Sequence, residues 1–185
     1  MYTRLLATHP IATKTLTSAF LFGAGDLMTQ TQFEKKSEID LPRFGRMVAW
    51  GGLFAPLAHV WYGALDRMIP GAGVTVVASK VIADQLTWTV FINCAFFWST
   101  TVMETGDSNL GIKAIQDKLW PTLKVNWVVW PVLQTINLGF VPLEYRLLYI
   151  NIASLFWSAY LSKMAATKSS DTPSSSSTGS IKEMK

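Results

Sequence analysis

Stretches free of Asp, Glu, Lys and Arg divide the chain into long apolar runs. Residues 47–65, 85–103 and 125–143 each hold 19 such positions, and residues 147–162 hold 16. A 19-residue helix is about 28 Å long at 1.5 Å per residue, close to the roughly 30 Å hydrocarbon core of a bilayer. A further run, residues 10–30, is interrupted by Lys14 and Asp26. These runs do not alternate apolar and polar residues, which argues against membrane-embedded strands. The pattern predicts hydrophobic helices over about 10–31, 45–65, 82–103, 121–142 and 145–162. Pro131 is expected to kink the fourth. The fifth follows Pro142 so closely that it reads as a continuation, a re-entrant piece or a further span, so the count is four to five.

The connections are polar. Residues 31–43 carry Glu34, Lys35, Lys36, Glu38 and Asp40. Residues 66–73 hold the turn sequence Ile69-Pro70-Gly71. Residues 104–119, with Gly106, Asp107, Asn109 and Gly111, read as a third connection. After Lys163 the chain turns Ser-, Thr- and Lys-rich and lacks the apolar content to build a core. The expected fold is all-α: a polytopic helical membrane bundle of four to five hydrophobic helices over 1–165, with a disordered tail over 166–185.

Composition narrows the class. Half of the residues are hydrophobic, mean hydropathy is +0.27 and only 15% are charged, against about 25% in ordinary soluble domains. That excludes a mostly disordered chain and weighs against a soluble enzyme. A lone cysteine, Cys94, excludes a disulfide scaffold and a cysteine-based zinc site. The net charge of +4 is scattered and gives no reason to expect direct nucleic-acid binding. With five spans, Lys35, Lys36, Arg43, Arg46, Lys113 and Lys118 gather on one side with the tail lysines, a bias that favours five over four. No acidic residue precedes Asp26, while Arg4 and Lys14 do, a pattern reminiscent of mitochondrial targeting.

At 100° per residue each run sorts its small and polar residues onto one face. These faces carry Gly23, Asp26 and Gln30; Gly52, Ala55, His59, Tyr62 and Asp66; Gln85, Thr89, Asn93 and Thr100; Asn126, Trp130, Gln134 and Asn137; and Asn151, Ser154, Ser158 and Ser162. Trp88, Phe91 and Trp98 fall on the opposite, outward side of the third run. Hydrocarbon offers no hydrogen bonds, so amides and hydroxyls turn inward, and small residues let backbones approach. Two readings follow. Either every polar group pairs with a neighbouring helix, or Asp26, Gln30, His59, Gln85, Asn93, Gln134 and Asn137 line a wet path. A carboxylate such as Asp26 is costly within a membrane and marks a cavity or a partner. Asp84 and Gln85 open the predicted third helix, where an anion suits the helix dipole.

No catalytic motif is present, neither HExxH, GxSxG, a P-loop nor GxGxxG, and no second metal ligand stands at helical spacing from His9 or His59. The residues therefore predict no enzyme, no metal and no cofactor.

A set of short motifs in fixed order is more specific. It comprises Gly25-Asp26 with Gln30; Trp61-Tyr62, Leu65-Asp66-Arg67 and Ile69-Pro70-Gly71; and Lys80 with Asp84-Gln85. It continues through Asn126, Trp130-Pro131, Gln134, Asn137, Val141-Pro142 and Tyr145-Arg146 to Trp157 and Tyr160-Leu161-Ser162. Over about 5–165 the chain resembles the Mpv-seventeen/peroxisomal membrane protein family, in particular its mitochondrial stress branch, Sym-one. The resemblance implies a small helical protein of the mitochondrial inner membrane or the peroxisomal membrane, usually described with four spans. It also implies non-selective or weakly selective channel activity, metabolite exchange, maintenance of mitochondrial DNA and nucleotide pools, and tolerance of metabolic stress. Leu138 stands where many members carry an aromatic residue. Within these motifs, Asp66-Arg67 reads as an ion pair at a turn. Gln134 or water reads as a donor for the carbonyl freed by Pro131. Arg146 reads as a ligand of lipid phosphate or a partner of Glu144 or another carboxylate. The expected function is a small-solute pore of the mitochondrial inner membrane, in which Asp26 favours cations. The alternative is a non-conducting scaffold of mitochondria or peroxisomes. The expected partners are the lipid bilayer, small solutes, and copies of the chain or a membrane complex.

Overall fold

The computed structural model describes residues 2–157, with side chains from Arg4 onward. The tail over 166–185, the end of the fifth predicted helix, and Ser158, Tyr160, Leu161 and Ser162 lie outside the described residues. Everything described is helix or short connection, with no strand among the described residues. The helices are α1 (Tyr2–Thr8), α2 (Pro10–Met28), α3 (Leu41–Met68), α4 (Val74–Ala83), α5 (Thr89–Thr105), α6 (Ser108–Phe140) and α7, which begins at residue 146 and is described to 157. A π-helical turn, Thr29–Phe33, extends α2, and another, Asp84–Trp88, joins α4 to α5.

Local chemistry fixes these boundaries. Pro10 occupies the first turn of α2, where a missing N–H costs nothing. The Asp40 carboxylate caps α3 by accepting from the Arg43 amide at 2.9 Å. Gly106, at φ +72°, ends α5 in the left-handed conformation. The Asp107 carboxylate then accepts from the Asn109 amide at 2.7 Å and starts α6. Two predicted starts need correction. The third helix begins at Val74 rather than near 82, because the Pro70–Gly73 turn is complete by then. The expected connection over 104–119 is helical from Ser108 onward. Pro121 and Pro131 both sit inside α6, which continues through them as one helix from Ser108 to Phe140.

Side-chain links set the arrangement. At one end, Arg43 meets Asp26, Arg46 meets Glu104 at 3.4 Å and the Trp98 indole meets Ser108. At the other, Lys14 meets His59, and Asp66 meets Lys80 and Arg146. The long elements α2, α3, α4–α5, α6 and α7 therefore run alternately up and down. A Cβ at Gly51 would lie 2.6 Å from the Ser18 carbonyl oxygen, so α2 and α3 touch backbone to backbone. Gly111 likewise lets α6 close on Trp98 of α5.

Polar and charged side chains share the interior with apolar ones, while many large apolar side chains face outward. The buried residues include Lys14, Asp26, Gln30, Lys80, Asp84, Asn126, Gln134, Asn137 and Arg146. Leu16, Phe20, Val60, Leu86, Val128, Val132, Phe140 and Phe156 face outward. Among the described residues one helix, Val74–Thr105, is both long enough and apolar enough to cross a bilayer. Inside, Trp50, Phe54 and Trp88 form an aromatic core, and Trp88 stacks on Trp61 with centroids 5.5 Å apart. Trp88 was expected outside with Phe91 and Trp98. The π turn turns it inward onto Trp61, while Phe91 and Trp98 remain exposed.

Candidate functional site

Helix α3 serves as a ruler through the bundle. Arg43 and Asp66 lie 23 residues apart on it, about 34 Å at the helical rise. Three cavities follow one another along its length. A cavity of about 180 Å³ reaches Met47 and contains Asp26, Thr29, Asn151 and Ser154 in its wall. A second, of about 260 Å³, extends from Trp50 to Tyr62 and is walled by aromatic rings and by Asp84, Asn93, Asn126 and Gln134. A third, of about 380 Å³, begins at Asp66. The first two share Phe22, Phe96 and Ser154 as their common wall.

Asp84 is the chemical centre of the middle cavity. Its carboxylate is fully buried. One oxygen accepts from the Trp61 indole at 2.9 Å. The other accepts from the Gln134 amide at 2.8 Å and the Gln85 amide at 3.1 Å. The Gln134 amide also donates to the Tyr62 hydroxyl at 3.3 Å, and Asn137 donates to the Gln134 oxygen at 2.9 Å. All these donors are neutral, and no ion pair to Asp84 exists among the described residues. The reading of Asp84 as an N-terminal charge is therefore corrected: α4 begins ten residues earlier, at Val74, and places it in the interior. Gln134 serves this carboxylate and not the backbone freed by Pro131.

Among the described residues, four amide oxygens and one hydroxyl in the interior lack a partner. The buried side-chain atoms without a hydrogen-bond partner among the described residues are Thr29 Oγ1, Gln85 Oε1, Asn126 Oδ1, Asn137 Oδ1 and Asn151 Oδ1. All are oxygens. Thr29, Asn151 and Asn126 stand in cavity walls. A buried acceptor left bare costs about 1–3 kcal/mol, and water or a cation in the cavity removes that cost.

Asp26 sits in a different environment. Its carboxylate accepts from Arg43 Nε and from Gln30 Nε2, each at 2.8 Å. Arg43 Nη1 donates to both oxygens of Glu34 at 2.9 Å. The Gln30 oxygen accepts from the Asp40 amide at 2.7 Å. The cluster fastens the α2–α3 connection at the end of the bundle. His59 stands apart: its Nδ1 lies 3.2 Å from Lys14 Nζ, within hydrogen-bond reach. Asn93 donates to the Thr89 carbonyl of its own helix and reaches the middle cavity. Of the seven residues read from the stripes, Asn93 and Gln134 line the middle cavity. Gln85 and Asn137 belong to the Asp84 network, Asp26 and Gln30 form the end clamp, and His59 joins neither. Asp84, Asn126 and Tyr62 are central yet absent from that set, although the helical spacing had placed Asn126 and Tyr62 on inward faces.

The third cavity holds an ion triad. Asp66 accepts from Lys80 Nζ at 2.6 Å and from Arg146 Nη1 at 2.7 Å. Burial alone raises the Asp66 carboxyl pKa, but Arg146 and Lys80 outweigh it and hold the group below its ordinary value. The expected Asp66–Arg67 pair does not form: neighbouring positions on a helix point about 100° apart, and Arg67 is exposed.

Apolar side chains on the exterior, polar ones in the interior and alternating long helices fit a helical membrane protein. The profile of the Mpv17 / PMP22 family matches residues 101–162. The chain is 40% identical to Protein SYM1 of Gibberella zeae, over 87% of this chain and 93% of that protein. It is 36% identical to Protein sym-1 of Neurospora crassa, over 87% of this chain and 95% of that protein. It is 33% identical to PXMP2/4 family protein 2 of Dictyostelium discoideum, over 91% of each. The chain belongs to the Mpv17/PMP22 family, and with it to the membrane proteins of mitochondria or peroxisomes. No solved structure matches it.

Proposed function

We propose that this chain is a multi-pass channel of the mitochondrial inner membrane that lets small solutes equilibrate, and that it acts without catalysis. In this reading α2, α3, α4–α5, α6 and α7 each traverse the bilayer, and the channel supports metabolite homeostasis and tolerance of metabolic stress. The observation that carries it is the pair of adjoining cavities along α3 from Met47 to Tyr62, whose walls include Thr29, Asn126 and Asn151 with unpartnered oxygens. Such walls favour water and cations over anions, because they offer acceptors and a carboxylate with no ionic partner. The charge that biases the path is Asp84, since Asp26 is already neutralised by Arg43.

The test is single-channel recording of the purified full chain in planar bilayers under a salt gradient. The parent is expected to conduct with a cation-favouring reversal potential, and Asp84→Asn to move that potential toward zero. Absence of any conductance would remove the proposal. The closed Asp26–Arg43–Glu34 cluster favours a second reading, a packed scaffold of mitochondria or peroxisomes. That reading predicts no solute flux from pure protein and a fixed-stoichiometry complex in crosslinked membranes.

A further inference from the structure

The ion triad between the α3–α4 turn and the start of α7 is unbalanced. Lys80 and Arg146 are 5% and 7% exposed, and Asp66 is the one carboxylate paired with both. Two buried cations sharing one anion leave a residual positive charge in poorly hydrated surroundings, an arrangement that is stable only when something else answers the charge. Asp84, one turn beyond Lys80, bonds neutral donors and forms no ion pair with either cation.

Both cations retain unused donors. Lys80 Nζ gives one bond, to Asp66, out of three protons. Arg146 uses Nε on the Val141 carbonyl at 3.1 Å and Nη1 on Asp66, and its Nη2 has no protein acceptor among the described residues. The same residues wall the cavity of about 380 Å³, whose remaining wall is mostly the glycine-rich turn. That turn holds Gly71 and Gly73 at φ +106° and +114°, where a side chain would be strained. It brings to the cavity the N-terminus of α4, which has no side-chain cap.

We propose that this cavity binds a phosphate-type oxyanion between Lys80 and Arg146. The free edge of the Arg146 guanidinium and the ammonium of Lys80 answer its charge, and the start of α4 adds amide donors. The occupant is either the phosphate of an anionic lipid headgroup or a soluble phosphate, since the chemistry is the same. Asp66 then acts as an internal competitor that holds both cations in place while the site is empty.

The experiment uses the full chain in maltoside micelles, which carry no phosphate, with radiolabelled inorganic phosphate as the probe. Saturable one-to-one binding is expected. At tenfold excess over the Kd, the unfolding midpoint should lie roughly 3–6 °C above that in chloride of equal ionic strength. Lys80→Met should weaken binding at least tenfold, and Asp66→Asn should tighten it about tenfold by removing the competing carboxylate. A clamp with no ligand would show no binding in either the parent or Asp66→Asn. The sources are separated in nanodiscs: if phosphatidic acid abolishes uptake of free phosphate, the headgroup is the occupant, and if uptake persists, the soluble anion is. Absence of saturable phosphate binding by the parent, or binding undiminished in Lys80→Met, overturns the proposal.

Discussion

Asp26 and Asp84 are both buried carboxylates, and they do opposite things. Asp26 meets a guanidinium that also grips Glu34, and its second oxygen takes the Gln30 amide. Its charge is answered, its position is near the end of the bundle, and it fastens a connection. Asp84 lies some 27 Å farther along α3, judged by its partner Trp61, and receives only indole and amide donors. Its charge is left to whatever occupies the cavity. Burial alone does not separate the two carboxylates; the charge of their partners does.

The sharpest way to break this contrast is Arg43→Gln. It leaves Asp26 without its cation and Glu34 with the longer Lys36 contact at 3.6 Å, and should cost about 3 kcal/mol of stability, read from unfolding in detergent. If stability is unchanged, Asp26 is not a clamp. Asp26→Asn should cost about 1–2 kcal/mol, because Arg43 keeps Glu34, and should leave the reversal potential in bilayers where it was. Asp84→Asn should invert that pattern, with stability within about 1 kcal/mol of the parent and a clear loss of cation preference. A stability loss as large as that of Arg43→Gln would make Asp84 a structural residue.

The smallest effect concerns acid. The folded-state pKa of Asp66 is depressed by Arg146 and Lys80, so its contribution to stability is complete above the unfolded value of about 4 and is lost as pH falls through the folded value. The stability gap between the parent and Asp66→Asn should therefore shrink below about pH 4. A gap that stays constant on acidification would mean that Asp66 does not gain from its two cations.

Much of this architecture was legible in the sequence because solvent dictates it. The apolar runs marked five helices, and the inward faces holding Gln30, Tyr62, Gln134, Asn137 and Asn151 are buried as the 100° spacing required. What escaped has specific causes. Absence of charge marks where a helix meets lipid, not where the helix ends. The polar first turns of α6, begun by the Asp107 cap and packed on Trp98 through Gly111, therefore read as a connection. Asp84 read as a helix start because the charge-free run began beside it, although backbone geometry had started the helix at Gly73. The adjacent Arg67 is the nearest cation to Asp66 in sequence, but its partners lie 14 and 80 residues away. The π turn that stacks Trp88 on Trp61 is invisible to a fixed angular period. The partners of a carboxylate come from tertiary packing, so the relative roles of Asp26 and Asp84 could not be ranked from spacing.

In the proposed inner-membrane channel, one wall has a consequence for energy conservation. Phe22 and Phe96 stand with Ser154 between the Asp26 chamber and the Asp84 chamber. A hydrated route across a coupling membrane is tolerable only if it is shut most of the time, since protons would otherwise run down the gradient that drives ATP synthesis. In that channel Phe22 and Phe96, which line both chambers, would be the shutter: passage from one to the next would require the rings to swing aside, and transport would come in bursts instead of as a steady leak.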